Sequence, residues 1–332
     1  MLFLLRYHIR ILQPTRHCDW RFVMTKLLLR LFIKNHQNTQ SPATRGAIGK
    51  LAGIVGILCN LLLFIAKFAV GFIAGSAAVI ADAVNNLLDA SSSIVTLVGF
   101  RMAQRPADHG HPYGHGRYEY LAGLLVAGII LLSGGDQART AIEKMIHPTA
   151  ADFHSVTFVV LSFSIGIKLW MCVFYKKLGQ LIQSTTLMAT AMDSRNDVLA
   201  SGSVLICCAV EYFFRIQLDA YAALAVALFI LYSGIKLTRE TISPLLGKKA
   251  DDDLIEQISE LVLSHEPVLG IHDLLVHDYG PGKCYASVHA EMSAEEDPIV
   301  SHEIIDHIER ETLERMNVHL VIHFDPVVKE KH

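Results

Sequence analysis

Two pairs of polar side chains stand one helical turn apart inside otherwise apolar stretches. ADAVNNLLDASS places Asn85 four residues before Asp89, and ATAMDSRNDVLAS places Asp193 four residues before Asp197. At that spacing both members of a pair lie on one face of a helix. A carboxylate in hydrocarbon is costly, so it must pair, take a proton or line a path. Two helices that each present such a face can close a site of four oxygens, three from carboxylates and one from an amide. Oxygen-only donors favour hard or borderline cations: manganese(II) first, then iron(II), with zinc open and magnesium disfavoured by its octahedral, water-rich geometry. Asp89, Asp193 and Asp197 can also carry protons, so metal and proton compete for the same oxygens, which is a natural device for coupled exchange. Asn85 cannot titrate and can only coordinate. Three other readings fit these residues: polar packing between helices, which suits Asn86, Ser91 and Ser194; a proton relay without metal; and a wet position near the interface.

Histidine is abundant, with 17 in 332 residues. The loop PADHGHPYGHGRYE (106–119) offers Asp108, His111 and His115 as one metal set, or else is a wet, flexible segment. Toward the C-terminus, His272, His289 and His323 each fall on or beside a different expected strand. Asp325 follows His323 on the same strand face, and His302 begins a helix. Imidazoles with a carboxylate can hold one or two zinc-like ions; solvated surface histidines are the alternative. His277 and Asp278 are further candidates. The six cysteines, Cys18, Cys59, Cys172, Cys207, Cys208 and Cys284, form no Cys-x-x-Cys pair and read as small apolar core groups. The chain has neither G-x-S-x-G nor H-E-x-x-H, which argues against an enzyme, and it lacks the basic stripe of a nucleic-acid binder.

The elements that must position these groups are apolar helices. The chain is 52% hydrophobic, and residues 51–100 hold three charged side chains, Lys67, Asp82 and Asp89. Six apolar stretches, 48–71, 77–100, 118–136, 153–175, 187–210 and 218–238, are each long enough to cross a bilayer, the third and fifth being less purely apolar. The basic residues of loop 101–117, of the turn before span five and of the segment after span six put both termini in the cytosol. Before the spans, TKLLLRLFIK (25–34) is expected as an interfacial amphipathic helix. That region lacks a signal-peptide cleavage pattern, and Met24 offers an alternative start. After Pro244, an acidic helix (251–265), strands at 271–277 and 284–292 around a Gly-Pro-Gly turn, a helix at 299–316 and a strand at 318–324 predict a small α-β-β-α-β domain. The expected division is an extension 1–46, a six-helix transmembrane domain 47–240 and a cytosolic domain 241–332.

ADAVNNLLDASSS, RPADHGHPYGHGRYEYLAGL, DSRNDVLAS, GIHDL, VHAEM and VIHFDP together resemble the cation diffusion facilitators, over about residues 47–326. The resemblance implies six transmembrane helices followed by a metallochaperone-like cytosolic domain, in a multi-pass homodimer of the plasma membrane. It implies metal efflux in exchange for protons, with no resident cofactor beyond zinc or manganese in the cytosolic domain. By the same resemblance Asn85, Asp89, Asp193 and Asp197 form the transport site, and Asp108, His111 and His115 a loop site. His272, His289, His302, His323 and Asp325 form a cytosolic binuclear site. Zinc-transporting members usually carry His or Asp at the position of Asn85 and His at that of Asp193, so the set here resembles manganese exporters. Those members also carry Asp where this chain has Gly247, the partner of the basic residue at Arg117. A zinc or iron(II) exporter is the nearest alternative, and a membrane-anchored metal sensor the alternative of another class. Replacing Asp193 by His restores an imidazole and is expected to shift preference toward zinc in competitive uptake; unchanged selectivity would count against the ligand assignment.

Overall fold

The computed structural model describes residues 23–33, 41–74, 77–147, 155–214 and 219–328. The first helix, α1 (Val23–Phe32), spans most of the segment expected at the interface. Residues 1–22, Cys18 among them, lie outside the described residues.

Six long helices follow: α2 (Pro42–Ala74), α3 (Ala77–Ala103), α4 (Tyr118–Ile146), α5 (Ser155–Leu181), α6 (Thr185–Phe214) and α7 (Asp219–Leu245). They run past the apolar limits read from sequence, most clearly at Ile146, Leu181 and Leu245. Hydropathy marks only hydrocarbon depth, whereas the backbone ladder continues into the polar boundary. Four of them, α2, α4, α5 and α7, are long and apolar enough by composition to cross a membrane. The less apolar pair is therefore α3 and α6: the fifth stretch is one of them as expected, whereas the other is the second and not the third. The reason is chemical: α3 carries Asp82, Asn85, Asn86, Asp89 and three serines.

The bundle exposes many apolar side chains and buries several polar ones beside its apolar core. On α2, Leu58, Leu62, Ile65 and Phe72 are exposed while Asn60 and Lys67 are buried. That inversion suits a hydrocarbon surround, where lipid covers apolar side chains and protein must satisfy polar ones. Along α2, Gly46, Gly49, Gly53 and Gly56 form a stripe against α3, and a Cβ on Gly53 would lie 2.9 Å from Leu97 Cα. Small residues at this spacing let two helix backbones approach closely.

At one end of the bundle a buried ion pair joins three segments. Arg45 donates to both carboxylate oxygens of Glu119, at 3.1 and 2.8 Å, and its Nε donates to the Ile182 carbonyl at 3.1 Å. Thr186 Oγ1 donates to the Glu119 carbonyl. The starts of α2, α4 and α6 are thereby locked together.

The same end carries the C-terminal unit: α8 (Asp252–Leu263), β1 (Val268–Asp278), β2 (Cys284–Ser293), α9 (Pro298–Met316) and β3 (Val318–Val327). The expected α-β-β-α-β order is present. β1 pairs antiparallel with β2, and β2 pairs parallel with β3. Ile258 and Val262 of α8 and Ile308 of α9 pack on Val288, Ala290, Leu320 and Ile322 of the sheet. The Asp297 side chain accepts from Ile299 N at 2.9 Å, which caps α9, and Asn317 ends it in the left-handed region at φ 55. Arg117 Nη2 donates to the Asp278 carbonyl at 2.8 Å, and Tyr120 Oη donates to Asp278 Oδ2 at 2.7 Å. Gly280, at φ +119, lies so close to Gly116 that a Cβ there would meet backbone at 2.4 Å. Asp278, a ligand candidate by sequence, thus joins the domain to α4. Arg117 is engaged within the chain, without an acid at position 247.

Removing one partner of a buried ion pair leaves an uncompensated charge. Arg45→Met is expected to lower stability by about 3–5 kcal/mol, read as an earlier thermal transition of the detergent-solubilised chain. Arg45→Met with Glu119→Leu should recover part of that loss.

Candidate metal centres

The two pairs of polar side chains stand on neighbouring helices. Asp82, Asn85 and Asp89 follow one another on α3 toward the end bearing the domain, and Asp197 and Asp193 do so on the oppositely running α6. Asn85, Asp89 and Asp197 line one cavity of about 410 Å³, together with Lys67, Asp82 and Lys168. Its walls come from the first turns of α3, α5 and α7, the last turns of α4 and the later half of α6, so it lies toward the end remote from the domain. Asp193 sits one turn deeper, where Ser92 Oγ donates to its Oδ2 at 3.1 Å.

Below the acids the helices are laced shut. Thr96 and Thr190 hydrogen-bond across α3 and α6 at 3.1 Å, and below them stands the Thr186–Glu119–Arg45 network. The acid site therefore has a cavity on one side and a closed polar seam on the other.

Two lysines enter this region that reading the acids alone had left out. Lys168 of α5 is buried, and its Nζ lies 2.7 Å from Asp89 Oδ2 and 2.6 Å from Asp197 Oδ2. Lys67 Nζ lies 2.8 Å from Asp82 Oδ2, which gives Asp82 an ion-pair partner. Lys168 was visible as a lone charge in an apolar stretch, the signal that marks a functional or paired group in a membrane helix. Arg195, two residues from each acid of α6, turns the other way and donates to Ser233 of α7 at 3.1 Å.

Among the described residues, three groups of His and carboxylate bring ligand atoms within 4.8 Å of one another. In the loop, His111 Nδ1 lies 3.3 Å and His115 Nε2 3.6 Å from the Asp108 carboxylate. The His111 amide, donating at 2.7 Å, is the main cause that holds the Asp108 carboxyl below its usual range.

In the domain, strand register sets His272, His289 and His323 side by side across β1, β2 and β3. Asp325 Oδ2 lies 2.9 Å from both His272 Nε2 and His289 Nδ1, and Oδ1 lies 3.5 Å from His323 Nε2. The hydrogen bond with His289 holds the Asp325 carboxyl low. Asp273, at φ 51 in an irregular stretch of β1, lies 3.3 Å from His272 Nδ1 and is the main cause that raises the imidazole above its ordinary value. His302 stands apart from this cluster, exposed, with its Nε2 3.8 Å from Asp306. The third group, His265, His307 and Glu311, was not foreseen. Glu311 is ion-paired there with Arg315 and lies 3.0 Å from His265. Burial lifts the Cys284 thiol to about 11, so it stays protonated at neutral pH and acts as packing.

Residues 53–246 match the cation efflux transmembrane domain, and residues 250–327 match the cytoplasmic domain of cation efflux proteins. The chain belongs to the cation diffusion facilitator family. A cation-efflux pump FieF of Escherichia fergusonii is 28% identical over 282 residues, covering 85% of this chain and 94% of that protein. An uncharacterised transporter of Methanocaldococcus jannaschii is 28% identical over 274 residues, covering 81% and 96%. FieF of Salmonella typhi is 28% identical over 284 residues, covering 85% and 94%. The protein is a membrane-embedded transporter for efflux of divalent cations and not an enzyme.

The raised His272 imidazole stabilises the fold fully below its ordinary value and loses that contribution as pH rises through the raised one. The depressed Asp325 carboxyl contributes above its ordinary value and loses that contribution as pH falls through the lowered one. A metal taken by the cluster must displace the His272 proton. Zinc affinity should therefore begin to fall, on acidification, above the ordinary imidazole range, and Asp273→Asn should move that fall to lower pH. Zinc titration of the full chain carrying Asp193→Ala and His111→Ala at stepped pH reads this; an unmoved midpoint would separate Asp273 from the site.

Proposed function

We propose that the chain exports a divalent transition metal in exchange for protons, with Asn85, Asp89, Asp193 and Asp197 as the transport ligands and manganese(II) as the preferred cargo. The observation that carries this reading is the meeting of the α3 and α6 acids between a cavity and a closed polar seam. Such a site is open to one face of the membrane at a time, which is what alternating access requires. The oxygen-only donor set supports manganese(II) or iron(II) over zinc. The FieF relatives are named for cation efflux, which supports the transport class and leaves the metal to the donor chemistry. Iron(II) and zinc export are the second reading, favoured by the carboxylates' acceptance of either ion.

In this reading α2 to α7 all cross the bilayer, because 27 residues of helix, the length of α3, span about 40 Å against a hydrocarbon core of about 30 Å. Both termini face the cytosol, and two copies assemble through the C-terminal domain. The imidazole rows and the loop set bind metal on the cytosolic side, where zinc or manganese reports supply or steadies the dimer.

Transport by the purified protein in proteoliposomes tests the reading. Manganese, zinc, iron(II) and cadmium are offered with and without a pH gradient, beside Asp193→Ala. Gradient-dependent manganese flux that vanishes in the variant is the expected result. Zinc flux alone would overturn the selectivity and keep the exchanger. Flux unaffected by Asp193→Ala would overturn the site, and no flux from folded protein would favour a sensor.

A further inference from the structure

Lys168 deepens that assignment and rests on it. Its ammonium stands between Asp89 and Asp197, 2.7 and 2.6 Å from one oxygen of each, and the side chain is buried. Asp89 and Asp197 come from the two helices whose acids form the transport site, whereas Lys168 comes from α5. The lysine therefore reaches into a site to which its own helix contributes no ligand. Lys67, the other buried ammonium of the cavity wall, is engaged by Asp82 at 2.8 Å and leaves this place to Lys168.

A metal bound by the same carboxylate oxygens would stand about 2.0–2.2 Å from each. That position overlaps the ammonium, so both cations cannot hold those oxygens together. An ammonium is a compact point charge on a flexible four-carbon stem, and it can withdraw without moving its helix. The cavity beside it, lined also by Asn85 and Ser164, has polar groups that can receive it. Charge favours a withdrawal that stays nearby. Three ionised carboxylates leave a bound divalent ion with an excess negative charge, which an ammonium moved only as far as the cavity wall still balances.

We propose that Lys168 is a tethered competitor of the transported metal. It fills the empty site as a resident cation, is displaced when the metal binds, and returns to help eject it. Affinity is thereby held low enough for release, and the empty site avoids bare carboxylates facing one another in a low-dielectric interior.

The test uses the full chain purified in detergent and the same protein in proteoliposomes, with manganese(II) and zinc(II) as probes. Lys168→Met removes the charge at similar length. It is expected to tighten metal binding by about tenfold or more, as loss of a close competing charge would, and to lower KM and kcat together because release becomes slow. Lys168→Arg keeps the charge and should restore most of the wild-type affinity. Lys168→Gln gives the same readouts as the Met variant and covers the case in which that variant does not fold. Unchanged or weaker binding in folded Lys168→Met or Lys168→Gln would overturn the proposal and leave the lysine a structural tie. Asp193→Ala is run in parallel. If it abolishes flux while the lysine variants bind as wild type does, only the competitor role falls. If it leaves flux intact, the site itself falls.

Discussion

A charge held at depth in a bilayer must meet an opposite charge, water or a ligand, because leaving it bare costs several kcal/mol. α3, α5 and α6 each carry such a charge at one level, as Asp89, Lys168 and Asp197, with Asp193 one turn deeper. They can do so only because those side chains face one another beside a cavity. The constraint reaches the rest of the bundle. α3 and α6 give up the apolarity of the other four long helices, and Asn86, Ser92, Thr96, Thr190 and Ser194 are buried on them while Leu87, Leu88 and Leu199 are exposed. The buried lysine is the counterpart that the paired acids call for, and its partners are two of the carboxylates of the proposed transport site.

The two ends of the bundle differ in how they are closed. Toward the domain, Ser92, Thr96, Thr190 and Thr186 form a seam that ends on the Arg45–Glu119 pair. Away from it, the same helices line the cavity. A seam of hydroxyl hydrogen bonds is a modest barrier, since bonds of this kind between membrane helices are each worth on the order of 1 kcal/mol. The buried ion pair beneath it is a stronger lock, so the helix starts form a fixed base while the hydroxyl seam above can part.

The domain reaches the bundle through Asp278, Arg117, Tyr120 and the Gly116–Gly280 approach. The joint lies at the end of β1, the strand that also carries His272, and beside the loop that carries His111 and His115. One strand, β1, thus runs from the imidazole row to the start of α4.

Much of this was legible in the amino-acid order. Periodicity and apolar runs are local properties, so the long helices, the α-β-β-α-β order and the one-turn pairing of the acids follow from neighbours along the chain. The Asp108, His111 and His115 set was legible for the same reason, being close in sequence. What the order of residues left open were contacts between distant elements. The register that sets three histidines abreast, the position of His302 outside that row, and the pairing of Arg45 with Glu119 depend on how helices and strands meet. So does the ammonium of Lys168 between two aspartates, 79 and 29 residues away. A lone lysine in an apolar helix announces that it needs a partner, because its charge must be satisfied. Only the tertiary structure decides which carboxylates come within reach, because hydrocarbon forbids bare charge without saying where the opposite one stands.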